Sequence, residues 1–309
     1  MVVRRIKMSR LSRAYFSNVK QGNLGSLTFM FTRDVHTGIM PFRNGRTYPF
    51  TIKLARKNQR LEDQLKEFLD VGAHGSGNQL DETVWNIVDI LSHRLAGFGD
   101  AYLEIVYDSD KSGLKDKKLE FLPHGKIVKL FSRYIQLVPA RDWERNKKKF
   151  YVIPSSRIWH VKLPRKLSTP QQHRKMLKQL SLLSELMPKF ALKTSDRGNS
   201  EKYDFTAHRK ARDIAIESAT SRWGSISSLG RIEGTTEYYQ IVNGLQIAYS
   251  KALLREHIIN EVNSLLARLG IRNSLKVTGL KTSVEINNAI QKLERGEIGF
   301  TDAINATKD

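Results

Sequence analysis

With no cysteine among its 309 residues, the chain can do chemistry only through histidines, carboxylates, hydroxyls and basic side chains. Disulfides, thiolate nucleophiles, cysteine-based zinc sites and iron–sulfur clusters are excluded. The eight histidines do not cluster at metal-ligand spacing. His93 is expected on a helix, His160 at the end of a strand, and His257 on a helix within Arg255-Glu256-His257. Each reads first as a packed or capped imidazole rather than a base. His160, beside Trp159, is the one best placed to bind a backbone group or a phosphate. Asp108 and Asp110 form a carboxylate pair in a stretch rich in Ser, Lys and Gly. Two-metal catalysis needs acids converging from buried strand ends, whereas these read as solvated turn residues. Gly97-Phe98-Gly99 follows a helical pattern and lacks the third glycine of a dinucleotide fingerprint, so it is expected to stop a helix. There is no G-x-x-x-x-G-K-[ST] phosphate loop. Arg255, His257 and Arg268 share one helix and do not supply the Arg, His, Arg and Tyr set of a recombinase. The expectation is a non-enzyme with no cofactor and no metal site.

Basic residues are the chemistry that does stand out. Lys and Arg total 52 against 31 Asp and Glu, a formal net charge of +21. Such an excess weakens a compact state by self-repulsion and is usually offset by a polyanion. Arg145, Lys147, Lys148 and Lys149 lie among Trp143, Phe150 and Tyr151, between two expected strands. This tip could neutralise phosphates without reading bases, or could equally be a solvated hairpin end whose lysines keep a sheet edge from pairing. A second cluster, Arg4, Arg5, Lys7, Arg10 and Arg13, opens a stretch up to Arg60 whose only acid is Asp34. These two clusters are the candidate DNA contacts.

Forty per cent hydrophobic and 27% charged residues are enough for a real core. The start, MVVRRIKMSRLSRAYF, lacks the apolar stretch of a secretory signal. No run of 18 apolar residues occurs to span a membrane. A soluble protein without membrane contacts is expected.

The elements that position the basic groups can be read in order. Residues 1–58 read as an irregular basic arm with two short strands, Leu27 to Phe31 among its apolar runs. From 59 to 167 the pattern is α+β. Leu61, Leu65, Phe68 and Leu69 share a helix face, and Gly72 to Gly77 breaks it. Asp81 offers an N-cap for a helix through Val84, Val88, Leu91 and Leu95. Strands then follow at Ala101 to Tyr107, Leu119 to Leu122, Tyr134 to Val138, Phe150 to Ile153 and Ile158 to Leu163. Between 168 and 235 a helix from Gln171 to Met187 is expected to stop before Pro188. A polar loop, Lys189 to Tyr203, leads to a second helix, Ala207 to Trp223. The last region, 236–309, opens on a helix of about 34 residues, Thr236 to Leu269, roughly 50 Å long. It closes with a strand at Leu275 to Val277 and a helix at Ser283 to Leu293. The fold class is α+β, mainly helical, with long helices expected to carry more apolar surface than one subunit can cover.

Two groups of segments carry a resemblance. The first is Leu95-Ala-Gly-Phe-Gly-Asp-Ala-Tyr-Leu-Glu-Ile-Val-Tyr-Asp108, with Leu119-Glu-Phe-Leu-Pro123 and Ile153-Pro-Ser-Ser-Arg-Ile-Trp-His-Val161. The second comprises Ala219-Thr-Ser-Arg-Trp-Gly224, Thr235-Thr-Glu-Tyr-Tyr239, Leu254-Arg-Glu-His-Ile-Ile-Asn-Glu261 and Arg295-Gly-Glu-Ile-Gly-Phe-Thr-Asp302. The first resembles the wing, and the second the later helical part, of HK97-type portal proteins of tailed bacteriophages. Together they cover about half of the chain, mostly 80 to 163 and 206 to 304. The resemblance implies a homo-oligomeric ring, typically of twelve copies, at one capsid vertex of the virion. Double-stranded DNA would pass through it, and the major capsid protein, the terminase packaging motor and a head–tail adaptor would dock on it. It implies stem helices at 171–187 and 207–223, a tunnel-side loop at 224–234, and a clip at 189–203 whose Lys193, Arg197 and Lys202 would contact docking proteins. The composition alone leaves two other readings open: a monomeric non-specific DNA- or RNA-binding protein, and a capsid or head-completion protein whose basic arm binds genome.

Overall fold

The computed structural model describes residues 25–41, 48–71, 79–107, 114, 117–122, 127–194, 205–224 and 236–307. It is an α+β fold, mainly helical, with small antiparallel sheets. The elements are α1 (Ser26–His36), β1 (Thr51–Leu54), α2 (Gln59–Leu69), α3 (Leu80–Phe98), β2 (Asp100–Tyr107), β3 (Lys117–Phe121), β4 (Ile127–Leu130), β5 (Arg133–Leu137), α4 (Trp143–Asn146), β6 (Phe150–Pro154), β7 (Ile158–Lys162), α5 (Pro170–Thr194), α6 (Phe205–Thr220), α7 (Glu237–Arg268), β8 (Leu275–Thr278), α8 (Ser283–Glu294) and α9 (Phe300–Asn305). Three sheets form, in strand orders β1-β8, β3-β2-β7 and β4-β5-β6, all with antiparallel pairing.

The first correction concerns the arm. Leu27 to Phe31 is the middle of α1, a helix that buries Leu27, Phe31 and Val35 in the main core. The run looked strand-like because it is short and apolar, but Leu27, Phe31 and Val35 recur at steps of four, the stripe of one helix face. One strand of the arm, β1, lies among the described residues, and it pairs with β8. Arg4, Arg5, Lys7, Arg10 and Arg13 lie outside the described residues, as do Asp108 and Asp110.

α2 begins as its sequence dictates, with the Asn58 side chain accepting from the Leu61 N–H at 3.0 Å. α3 is capped differently. Gln79 holds the N-cap position, and Asp81 sits in the first turn, where its Oδ1 accepts from the Ile52 N–H at 2.5 Å and ties the helix to β1. Gly97 remains inside α3. Gly99 ends it, at φ 83°, with its N–H on the Leu95 carbonyl. A left-handed residue is required there and glycine takes that conformation without cost. It turns the chain directly into β2.

The main core takes residues from every region of the chain: Leu27 from α1, Leu65 from α2, Leu91 from α3, Leu103 from β2, Leu180 from α5, Ile216 from α6 and Ile258 from α7. His173 is fully buried there. Its Nε2–H donates to the Ala96 carbonyl at 2.7 Å, and its ring packs on Phe31 and Trp223.

α5 does not stop before Pro188 but runs through it to Thr194. Proline removes one helical hydrogen bond at a cost of about 3 kcal/mol. The helix formers Leu186, Met187, Lys189, Ala191 and Leu192 on both sides carry the helix past it. Lys193, expected in a loop, is therefore on α5, while Arg197 and Lys202 lie outside the described residues.

α7 matches its expected bounds: the Thr236 side chain accepts from the Tyr239 N–H at 3.3 Å, and Gly270 follows the helix end at φ 81°. The expectation that the long helices carry uncovered apolar surface does not hold for α7. Its C-terminal half packs Leu254, Ile258, Val262, Leu265 and Leu266 into the main core. Its N-terminal half packs Ile241, Leu245 and Ala252 against Ile286, Ile290 and Leu293 of α8 and Ala303 of α9. The C-terminal helices are thus a cover for the face that looked surplus. Among the described residues no helix is long and apolar enough to cross a membrane.

Candidate interface on the β4–β5–β6 sheet

β4, β5 and β6 form a meander, and β4 was not foreseen: Ile-Val-Lys-Leu is only four residues long. Strand pleating sends alternate residues to opposite faces. Tyr134 and Ile153, paired in register, face inward with Leu122 and Ile158 in a small core of their own. The opposite row is Val128, Ile135 and Val152, directly paired across all three strands, and Leu137 faces Phe150 beside it. Val128, Leu130, Leu137, Phe150 and Val152 are between 39% and 54% exposed. Phe131, in the β4–β5 turn, is 89% exposed and holds φ 52°. A bulky side chain in the left-handed region is strained, and here no described residue repays it by burying the ring. A sheet face with this many exposed apolar groups is unusual for a face meant for water.

The basic tip lies between β5 and β6, as expected, and it is built rather than loose. A 3-10 turn (Ala140–Asp142) leads into α4, and Lys147 turns the chain back at φ 53°. The Trp143 indole donates to the Val138 carbonyl at 2.8 Å, the Asn146 amide to the Asp142 carbonyl at 2.9 Å, and the Tyr151 hydroxyl to the Asn146 Oδ1 at 3.2 Å. Lys149 Nζ stands 4.8 Å from the Trp143 ring centre and Lys148 Nζ 5.7 Å from that of Tyr151, attractive cation–π placements. Arg145, Lys147, Lys148 and Lys149 are all exposed. Asp142 is buried, 3.9 Å from Arg141, so among nearby acids Glu144 is the exposed one. Replacing Lys147, Lys148 and Lys149 by Ala is expected to lower the slope of log affinity against log salt for a random duplex by about 3. An unchanged slope in a titration series would remove the tip from the DNA contacts.

The three histidines singled out in the sequence all lie among the described residues. His160 stacks on Tyr102 (centroids 4.0 Å, 16° between planes), and its Nε2 lies 3.5 Å from Asp100 Oδ2. The same oxygen accepts from the Tyr102 hydroxyl at 3.2 Å and from Arg174 Nη2 at 2.9 Å. Burial works to raise the Asp100 carboxyl, but His160 and Arg174 outweigh it and hold the group below the usual range. Burial first, and then the Asp100 charge, push the Tyr102 phenol well up. The carboxylate is a clamp joining β2, β7 and α5. His257 Nε2–H donates to the Lys162 carbonyl at 2.8 Å. His93 packs edge-on against His36, with ring centroids 4.9 Å apart. Among the described residues no group of three or more His, Asp or Glu could hold a metal ion.

The apolar face escaped the reading of the sequence, though a signal existed. Phe150-Tyr-Val-Ile has no polar position, so it could not alternate between core and water, and such a run implies cover on both faces. A scan against protein-family models and a search of curated proteins both return no match for this chain.

Proposed function

We propose that this chain is a portal-type subunit: a non-catalytic ring component that passes double-stranded DNA at a capsid vertex. The major capsid protein, the terminase motor and a head–tail adaptor would dock around it. The observation that carries the reading is the uncovered apolar face of β4–β5–β6, which one subunit leaves in water and a second copy would bury. Its counterpart is at the other end of the chain. Tyr238, Phe300 and Ile304 are about 40% exposed, the first two with ring centres 6.3 Å apart. Glu237 and Asp302 lie beside them in sequence, with Glu297 paired to Arg295 at 3.7 Å. Two different patches that meet make a head-to-tail contact, the type that closes into rings. Also supporting the reading are the order of elements (an α+β unit, a helix pair, then a 32-residue helix) and the net charge.

One other reading has an observation behind it. Phe131, Phe150 and Trp143 beside Lys147 to Lys149 could stack on unpaired bases, as in single-strand binding surfaces, which would make the protein a monomeric nucleic-acid binder. Native mass spectrometry separates the two. A ring gives a closed multiple of 35.4 kDa; a folded monomer at micromolar concentration would replace the portal reading with the second.

A further inference from the structure

On the flank of the sheets away from the apolar face, β7 and α7 border an open cleft of about 1160 Å³. Five of its lining residues are Lys or Arg (Lys129, Lys162, Arg165, Lys166 and Arg268), and two are acids, Glu256 and Glu261. Glu256 is already engaged, accepting from the Ser283 N–H at 2.7 Å and its hydroxyl at 2.6 Å. Glu261 lies 3.9 Å from His257 and its charge acts on Arg268, which leaves one carboxylate against five cations. Among the described residues no carboxylate comes within ion-pair distance of Lys129, Lys162, Arg165 or Lys166.

The positions of these cations are set by the fold. Lys162 ends β7, and Arg165 and Lys166 sit in a turn closed by the Leu167 and Ser168 N–H groups on the Pro164 carbonyl, at 2.9 and 3.2 Å. Arg268, the last residue of α7, donates through Nη1 to the Ile158 carbonyl at 3.0 Å. Its side chain is exposed at the cleft, and desolvation of the guanidinium pulls its pKa below the ordinary value. With one nitrogen on a carbonyl, the guanidinium keeps further N–H donors for an added anion. Ser155, Ser156 and Asn260 also line the cleft, neutral groups able to donate to phosphate oxygens.

We infer that this cleft is a binding site for a chain of phosphates. The cations are spread over a volume far larger than one phosphate needs, which favours several linked phosphates over a single one. Lysine and arginine together, with no metal-binding acid cluster among the described residues, fit phosphodiester or polyphosphate oxygens. The inference does not depend on ring assembly and concerns residues separate from the lysine tip.

The test uses the full chain and a variant, Lys162→Glu, Arg165→Glu and Lys166→Glu, in which all three replaced residues are exposed. Two probes distinguish the source of the phosphates: a labelled single-stranded oligonucleotide of about twelve nucleotides, followed by anisotropy across a salt series, and inorganic tripolyphosphate, followed by calorimetry. The wild type is expected to bind at least one probe. The variant, with an unchanged melting temperature in the absence of ligand, is expected to lose at least about tenfold in affinity. For the oligonucleotide its salt slope should fall by about 2, three contacts at about 0.7 each. Loss confined to the oligonucleotide identifies a nucleic-acid backbone; loss confined to tripolyphosphate identifies a free polyphosphate. If the variant binds both probes within about twofold of the wild type, or the wild type binds neither, the inference is overturned. Native mass of the same samples reports assembly separately, so a failed ring and an empty cleft give different results.

Discussion

Val152→Glu is expected to yield a folded 35.4 kDa subunit that no longer assembles. Val152 sits at the β6 end of the outward row of β4–β5–β6, paired with Ile135 and 44% exposed. In the isolated subunit a carboxylate there points into water, and the inward residues Tyr134 and Ile153 keep the sheet on its own small core. Helix content and melting temperature should therefore change little. In the proposed ring the same carboxylate would be buried against apolar atoms without a partner. Leaving a charge uncompensated in that way costs several kcal/mol at each contact, and a ring places every copy in two contacts. Val152→Thr, which keeps the shape and adds a neutral hydroxyl, should weaken assembly without abolishing it. Native mass spectrometry and circular dichroism on both variants check this. A Val152→Glu protein that still elutes as a closed ring would show that this face does not join subunits.

Acid should destabilise the protein through His173 by about 3 kcal/mol between pH 6.5 and pH 4. The imidazole is fully buried, and with its Nε2–H given to the Ala96 carbonyl, its Nδ1 has no partner. Burial is the dominant cause that lowers its pKa from 6.5 to about 4; the Ala96 hydrogen bond and the Asp100 charge pull it up, and Arg174 pulls it further down. Well above pH 6.5 the ring is neutral in both states and contributes no pH dependence. As pH falls, the unfolded chain takes up the proton first, so stability falls down to about pH 4, where the folded state is protonated too and the loss levels off. Two and a half units at 1.36 kcal/mol each give the stated magnitude. His93, also lowered by burial, adds in the same direction. His173→Gln retains a side-chain N–H donor but cannot titrate, so its denaturant-unfolding free energy should lack this portion of the slope. The comparison is made at fixed protein concentration, because assembly is linked to stability. Equal slopes for the two proteins would mean that His173 takes up a proton as easily folded as unfolded.

By itself the sequence determined the elements whose signals are local. The stripe on α7, its Thr236 cap and the glycine beyond it lie within one stretch of chain, and their expected bounds match the helix to within a residue. The strands β2, β5, β6 and β7 could be read from alternation and flanking turns for the same reason, as could the position of the lysine tip between β5 and β6. Tertiary structure decided whatever depends on a distant partner. α1 could not be told from a strand by its short apolar run, because its stripe gains meaning only when α3 and α5 are present to bury it. Asp81 serves β1 rather than capping its own helix, since the Ile52 N–H is brought to it by a strand pair spanning Leu54 and Leu275. The apolar surplus seemed to belong to the long helix; α8 and α9 cover that face and leave the sheet face bare. The cleft cations, Lys129, Lys162, Arg165, Lys166 and Arg268, come from positions up to 139 residues apart. No periodicity or spacing in one dimension could have brought them together, because the field they share exists only once β7 and α7 lie side by side.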